Sequence, residues 1–250
     1  MTTSVSTSRA SNVAFWITHF AAPLGAGVAA IFWLQSSGWD RAAIDAAFDP
    51  ASGKFPWRHH WLTEDVIHTG GKNLVIALAA LVALALLASR WKPALVRWRG
   101  PLALFLAAVV LGPLATGLGK NLSDARCPWD LARYGGFAVH EHNNAEDGTL
   151  GRRGCFPCGQ ASAGFALTAG YFALRRRRPR AARSALGIGL VYGTILGAGR
   201  VLQGAHYPSH VVGTALVCWN VSLGLYALTL KRREDQCDTL TAPIESLRAS

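Results

Sequence analysis

The chain has 250 residues, of which 51% are hydrophobic and only 16% charged, and its mean hydropathy is positive. Soluble domains carry about a quarter charged residues, so this composition excludes an ordinary water-soluble enzyme. The net charge of +11 invites a nucleic-acid reading, but the basic residues cluster in short stretches between long apolar runs. They read as a topology signal instead.

Residues 1–12 are rich in Ser and Thr and read as disordered. No Asp, Glu, Lys or Arg occurs in Ala10–Trp39, Asn73–Ser89, Gly100–Gly119, Gly154–Leu174, Ser184–Gly199 or Val201–Leu230. A membrane helix needs roughly 20 apolar residues, with a lower limit of about 17. The expected fold is therefore all-α: an integral membrane bundle of about six transmembrane helices, one domain over 13–233 with a tail at 234–250. Helix one is expected at 13–35. It is too long for a signal-peptide core and no A-x-A cleavage pattern follows, so it is expected to remain.

The segment 36–72 carries Trp39, Trp57 and Trp61, which suit an aromatic belt or a short interfacial helix, with His59 and His60 at the membrane surface. Helices two and three are expected at 73–90 and 101–119, joined by a loop with Arg90, Lys92, Arg97 and Arg99. A polar segment, 120–153, leads into helix four, which runs to Leu174. Arg175, Arg176, Arg177, Arg178, Arg180 and Arg183 follow. Helix five is expected at 184–199 and helix six at 209–230, before Lys231, Arg232 and Arg233. The two short basic loops hold no acid, whereas Asp40–Lys72 and Lys120–Arg153 hold ten of the fourteen acids. By the positive-inside rule the basic loops and both termini are cytoplasmic and the mixed segments face outward.

The outer ends of helices three to six then hold Lys120, Gln160, Arg200 and His206. Ionisable groups at such positions are costly and point to function. A guanidinium fork fits phosphate oxygens, and a neutral imidazole can attack phosphorus and carry a covalent intermediate. Among the cysteines, Cys127 and Cys155 fall on the outer side, where a disulfide is permitted. Cys218 and Cys237 read as inert, and His19 as a packing histidine. Asp130, Arg133 and Tyr134 are candidates for the mouth of a site, and His68 with Gly70, Gly71 and Lys72 for a headgroup contact.

Three motifs carry a resemblance. The chain is similar to the type-2 phosphatidic acid phosphatase superfamily, which includes bacterial lipid-phosphate phosphatases and shares its core with vanadium haloperoxidases. Its motifs are K-x6-R-P, P-S-G-H and S-R-x5-H-x3-D. Here the third reads Gly199-Arg200, five residues, His206, three residues, His210. The first reads Lys120, six residues, Cys127-Pro128, and the second Pro157-Cys158-Gly159-Gln160. The strings Cys127-Pro-Trp-Asp-Leu131 and Gln203-Gly-Ala-His206 resemble a bacterial membrane branch, and the likeness covers about 68–225.

The resemblance implies that His206 is the nucleophile and that His210 occupies the place of the acid that orients it. It also implies that Lys120, Arg200 and the turn at Cys158-Gly159 bind phosphate, with Arg126 a candidate replacement for the motif arginine. Gln160 stands where the general-acid histidine belongs, and a carboxamide cannot protonate a leaving alkoxide. Three explanations stay open: a silenced copy, a proton delivered from elsewhere (His140 or His142), or a diphosphate substrate whose leaving group needs little protonation.

The implied protein is a multi-pass phosphatase of the bacterial inner membrane with its site facing the periplasm or exterior. It acts on a phosphorylated lipid (phosphatidate-like, isoprenyl diphosphate or lipid A-type) with no metal, cofactor or nucleic-acid partner. Other classes weighed are a silenced phospholipid-binding or transport protein, a thiol oxidoreductase using Cys155-x2-Cys158, and a metal pair at His206 and His210.

Overall fold

A computed structural model describes residues 12–141 and 154–231. His142, Arg232, Arg233, Cys237, nearly all of the Ser- and Thr-rich start and the 234–250 tail lie outside the described residues. Everything regular is helical, and among the described residues extended pairing is limited to two isolated bridges, Asp49 with Lys54 and Leu131 with Ala138.

Among the described residues, five helices are long and apolar enough to cross a membrane: α1 (Asn12–Ser36), α3 (Leu62–Ala88), α4 (Arg99–Leu122), α6 (Pro179–Leu202) and α7 (Pro208–Lys231). Between α1 and α3 lies the short α2 (Trp39–Ala47). The remaining apolar run forms α5, residues 159–174, helical throughout but tightened by a 3-10 turn at Ala166–Thr168. It is shorter than the other five and the most enclosed. Large apolar side chains such as Phe32, Leu74, Leu81, Val110 and Ile188 are exposed along the bundle. In water such a surface marks an aggregation hazard; against lipid tails it is the expected one.

Two expected boundaries shift. Helix two begins at Leu62, not 73, and its first turns are π-helical over Leu62–Gly70. The apolar window missed these turns because they carry Glu64, Asp65 and His68, beyond the lipid-like run. Helix five spans Pro179–Leu202 instead of 184–199, because Pro179 suits a first helical turn and Arg200 still lies within the helix.

Two devices bind the bundle. Along α6, Gly189, Gly193 and Gly197 recur every four residues, letting backbones approach closely as small residues do in membranes. A Cβ on Gly189 would lie 2.7 Å from Thr168 N, and one on Gly193 or Gly197 would enter the side chain of Phe165 or Val211. In α1, Pro23 has no N–H to offer the His19 carbonyl four residues back, and the helix opens into a π turn over Ile17–Ala21. The Trp219 indole donates to that carbonyl instead (2.6 Å). The His19 ring itself stacks on Phe15 and meets the Tyr171 hydroxyl at 2.8 Å, as a packing histidine should.

At the same end, the Arg175 guanidinium lies over Phe15, Tyr171 and Tyr226. At the opposite end, Ile44, Phe55, Leu131, Tyr134 and Ala138 form a small separate core that caps the helix ends.

Overpacking a tight core costs typically 1–3 kcal/mol. Gly189→Val is therefore expected to lower the thermal midpoint of the detergent-purified protein clearly. Gly187→Ala, whose added Cβ meets nothing within 4 Å, should leave it unchanged or raised.

Candidate functional site

One end of the bundle brings together Lys120 at the end of α4, Cys158-Gly159-Gln160 at the start of α5, Arg200 in the last turn of α6, and His206 and His210 around the start of α7. The local sequence explains the convergence. Gly204 adopts φ +70°, and a Cβ there would strike the Phe55 ring, so only glycine lets the chain turn from α6 into the His206 loop. The Ala205 N–H returns to the Arg200 carbonyl (2.9 Å), and the Trp129 N–H to Gly204 (2.9 Å).

The start of α7 is fixed by a residue from far away in sequence. Asp40, in α2, is buried, and its carboxylate accepts the Ser209 N–H at 2.9 Å. A carboxylate at a helix N-terminus satisfies an orphan donor and complements the dipole. Burial nonetheless pushes the Asp40 pKa up, against the Ser209 hydrogen bonds that pull it down.

His206 is 4% exposed. Its Nδ1 lies 3.4 Å from His210 Nδ1 and 3.3 Å from Cys155 Sγ, which leaves Nε2 on the other side of the ring. The His210 ring is flanked edge-on by Phe156 and Tyr207. Burial above all holds the His206 pKa well below its ordinary value, and His210, Lys120 and Arg200 reinforce this, so the ring is neutral near pH 7.

Lys120 extends over Gly159, where an added Cβ would lie 3.7 Å from Nζ. Cys158 is fully buried, its N–H bonded to the His210 carbonyl (3.2 Å) and its own carbonyl to the Thr214 hydroxyl (3.0 Å). These bonds tie α5 to α7.

Arg200 donates from Nη1 to Gln203 Oε1 (2.6 Å) and lies over the Trp129 ring. The Gln203 amide in turn donates to Glu64 Oε2 (2.8 Å) and to the Arg58 carbonyl (3.2 Å). Gln160 donates from Nε2 to the His68 carbonyl at 2.6 Å. Arg126 is buried with its guanidinium over Phe137, and His140 is exposed on the same loop. Arg133 and Tyr134 both bond Asp45.

Cys127 and Cys155 form a disulfide, so Cys155 does not pair with Cys158 as the oxidoreductase reading required. Burial pushes the Cys158 thiol pKa up despite the nearby Lys120 and Arg200 charges, the opposite of a reactive cysteine. One donor of each of Cys155, His206 and His210 lies within 4.8 Å of the others. The Cys155 sulfur is committed to the disulfide, however, and two imidazoles are a poor set for a metal.

Sequence reasoning missed Asp40, Glu64 and Gln203. Gln203 had a signal, being a polar residue between two motif positions in an apolar run. Asp40 had none, since its partner is 169 positions away.

An all-helical bundle of apolar, membrane-length helices with a cationic cradle around a buried histidine defines a membrane protein of phosphatase type. A family profile described as the PAP2 superfamily covers residues 101–234, more than half the chain, and the protein belongs to that superfamily. Neither the search of curated proteins nor that of solved structures gave a match.

The depressed His206 pKa keeps the ring deprotonated to lower pH than a free histidine. The acid limb of kcat/KM for phosphate release should therefore fall below the ordinary value of 6.5; a limb at or above it would contradict a buried neutral His206. The Cys127–Cys155 bridge closes a loop of 28 positions behind that ring. Replacing both cysteines by Ser should cost about 2–5 kcal/mol, visible as a lowered thermal midpoint together with reduced turnover.

Proposed function

We propose that the protein is a lipid-phosphate phosphatase of the bacterial cytoplasmic membrane, with its active site on the outer face. His206 Nε2 attacks phosphorus, the bond to the lipid oxygen breaks, and a phosphohistidine forms that water then hydrolyses. Lys120, Arg200 and the backbone N–H groups at Gly159 hold the phosphate oxygens and stabilise the charge that develops on them. His210, at the Nδ1 side of His206, orients the ring but brings no negative charge. The substrate class is a phosphorylated lipid: phosphatidate-like, an isoprenyl diphosphate or a lipid A-type anchor.

The observation that carries this reading is a buried histidine, His206, at the same end of the bundle as Lys120 and Arg200, with burial holding its pKa well below the ordinary value. That combination suits attack on an anion. A phospholipid-binding protein needs the two cations but has no use for an imidazole kept unprotonated among them.

The test is phosphate release by detergent-purified protein from a phosphatidate and an isoprenyl diphosphate, with chelator present. His206→Ala should abolish release from both. Gln160→His should raise turnover of the monophosphate by up to the 10²–10⁴-fold typical of general acid catalysis. No release from either the parent or Gln160→His would remove the phosphatase reading and leave a phospholipid-binding role.

A further inference from the structure

The residue at position 160 cannot give up a proton, yet expelling a lipid alkoxide requires one. Resting on the phosphatase reading above, we propose that His68, oriented by Glu64, is the general acid that replaces the missing histidine. The placement comes from two contacts. Gln160 itself donates to the His68 carbonyl at 2.6 Å, so the turn carrying His68 lies against the position where the acid is absent. Ile67 fills the space over Gly199, where an added Cβ would lie 2.8 Å from Cγ2. This seats the same turn beside Arg200, the residue after Gly199.

One ring nitrogen is engaged and the other is left over. His68 Nδ1 is buried and faces Glu64 Oε1 at 3.4 Å, an ion-pair contact short of full hydrogen-bond alignment. The side chain is 30% exposed, so Nε2 is the nitrogen turned away from the carboxylate and able to exchange protons with water. A carboxylate behind one imidazole nitrogen, with the other left for the reaction, is the arrangement that serves acid–base histidines elsewhere.

Glu64 also couples this pair to the phosphate clamp. Its Oε2 accepts from Gln203, whose Oε1 accepts from Arg200. The proton donor and the guanidinium are thus held by one continuous chain of side chains. The π-helical turn over Leu62–Gly70 is of a kind frequent at functional sites.

The step balances without a further reagent. As the His206 Nε2–phosphorus bond forms and the phosphorus–oxygen bond to the lipid breaks, the leaving oxygen takes the proton from His68 Nε2, giving an alcohol and a neutral imidazole. In the second half, neutral His68 takes a proton from the water that attacks the phosphohistidine. Phosphate leaves and the imidazolium is restored.

The test uses leaving groups of different basicity. The detergent-purified full chain, His68→Gln and the double variant His68→Gln/Gln160→His are assayed on a phosphatidate, whose alkoxide needs a proton, and on p-nitrophenyl phosphate, whose phenolate does not. The expected result is a loss of 10²-fold or more in kcat on phosphatidate for His68→Gln, a change within about threefold on p-nitrophenyl phosphate, and recovery of phosphatidate turnover in the double variant. Equal losses on both substrates would make His68 a structural residue, and an unchanged phosphatidate rate would make it a bystander. Either outcome overturns the proposal while leaving the phosphatase intact. If neither the parent nor Gln160→His releases phosphate from either substrate, the phosphatase reading falls and this proposal falls with it.

Discussion

A lysine and an arginine packed near a buried imidazole can share a site only if that imidazole carries no charge. A second histidine beside His206 sharpens the constraint, because a proton on either ring would add a positive charge to an already cationic, water-poor pocket. Arg200 is held by the Gln203 amide oxygen and the face of Trp129, and among the described residues no carboxylate pairs with it directly. The nearest acid in that chain, Glu64, stands one side chain further back. The pocket therefore carries a positive excess, which on the proposed function draws in a phosphate before any catalytic step.

Keeping such groups together at the tips of separate helices requires ties that do not depend on the lipid-facing surface. The Asp40 carboxylate at the Ser209 N–H, the Cys127–Cys155 bridge and the Cys158–His210–Thr214 backbone and hydroxyl bonds are those ties. They link α2, the 126–141 loop, α5 and α7. The first of them comes from outside the region matched by the superfamily profile, so part of the site's support lies in a segment the family pattern does not cover.

The sequence announced the class and most of the cradle. Charge-free runs are imposed by lipid, and the fixed spacing Arg200-x5-His206-x3-His210 is imposed by one helix end feeding the next. Both are local constraints and both are readable without a structure. The start of helix two was not. Leu62–Gly70 is amphipathic and charged, so an apolar window discards it, yet it supplies Glu64 and His68. Asp40 and Gln203 act across long sequence separations, and no periodicity reports such partners. In the sequence His68 reads only as a headgroup contact, because nothing in one dimension puts it against Gln160.

The cluster at the far end from the site bears on how the chain is made. Phe15 near the start of α1 and Tyr226 near the end of α7 meet around one arginine, Arg175, and the Trp219 indole closes the gap that Pro23 opens in α1. Trp219 follows His19 by 200 positions. The bent turn of α1 therefore lacks this indole, and Phe15 lacks Tyr226, until a helix made much later is in place, so α1 takes its final seat in the bundle only after α7 has formed.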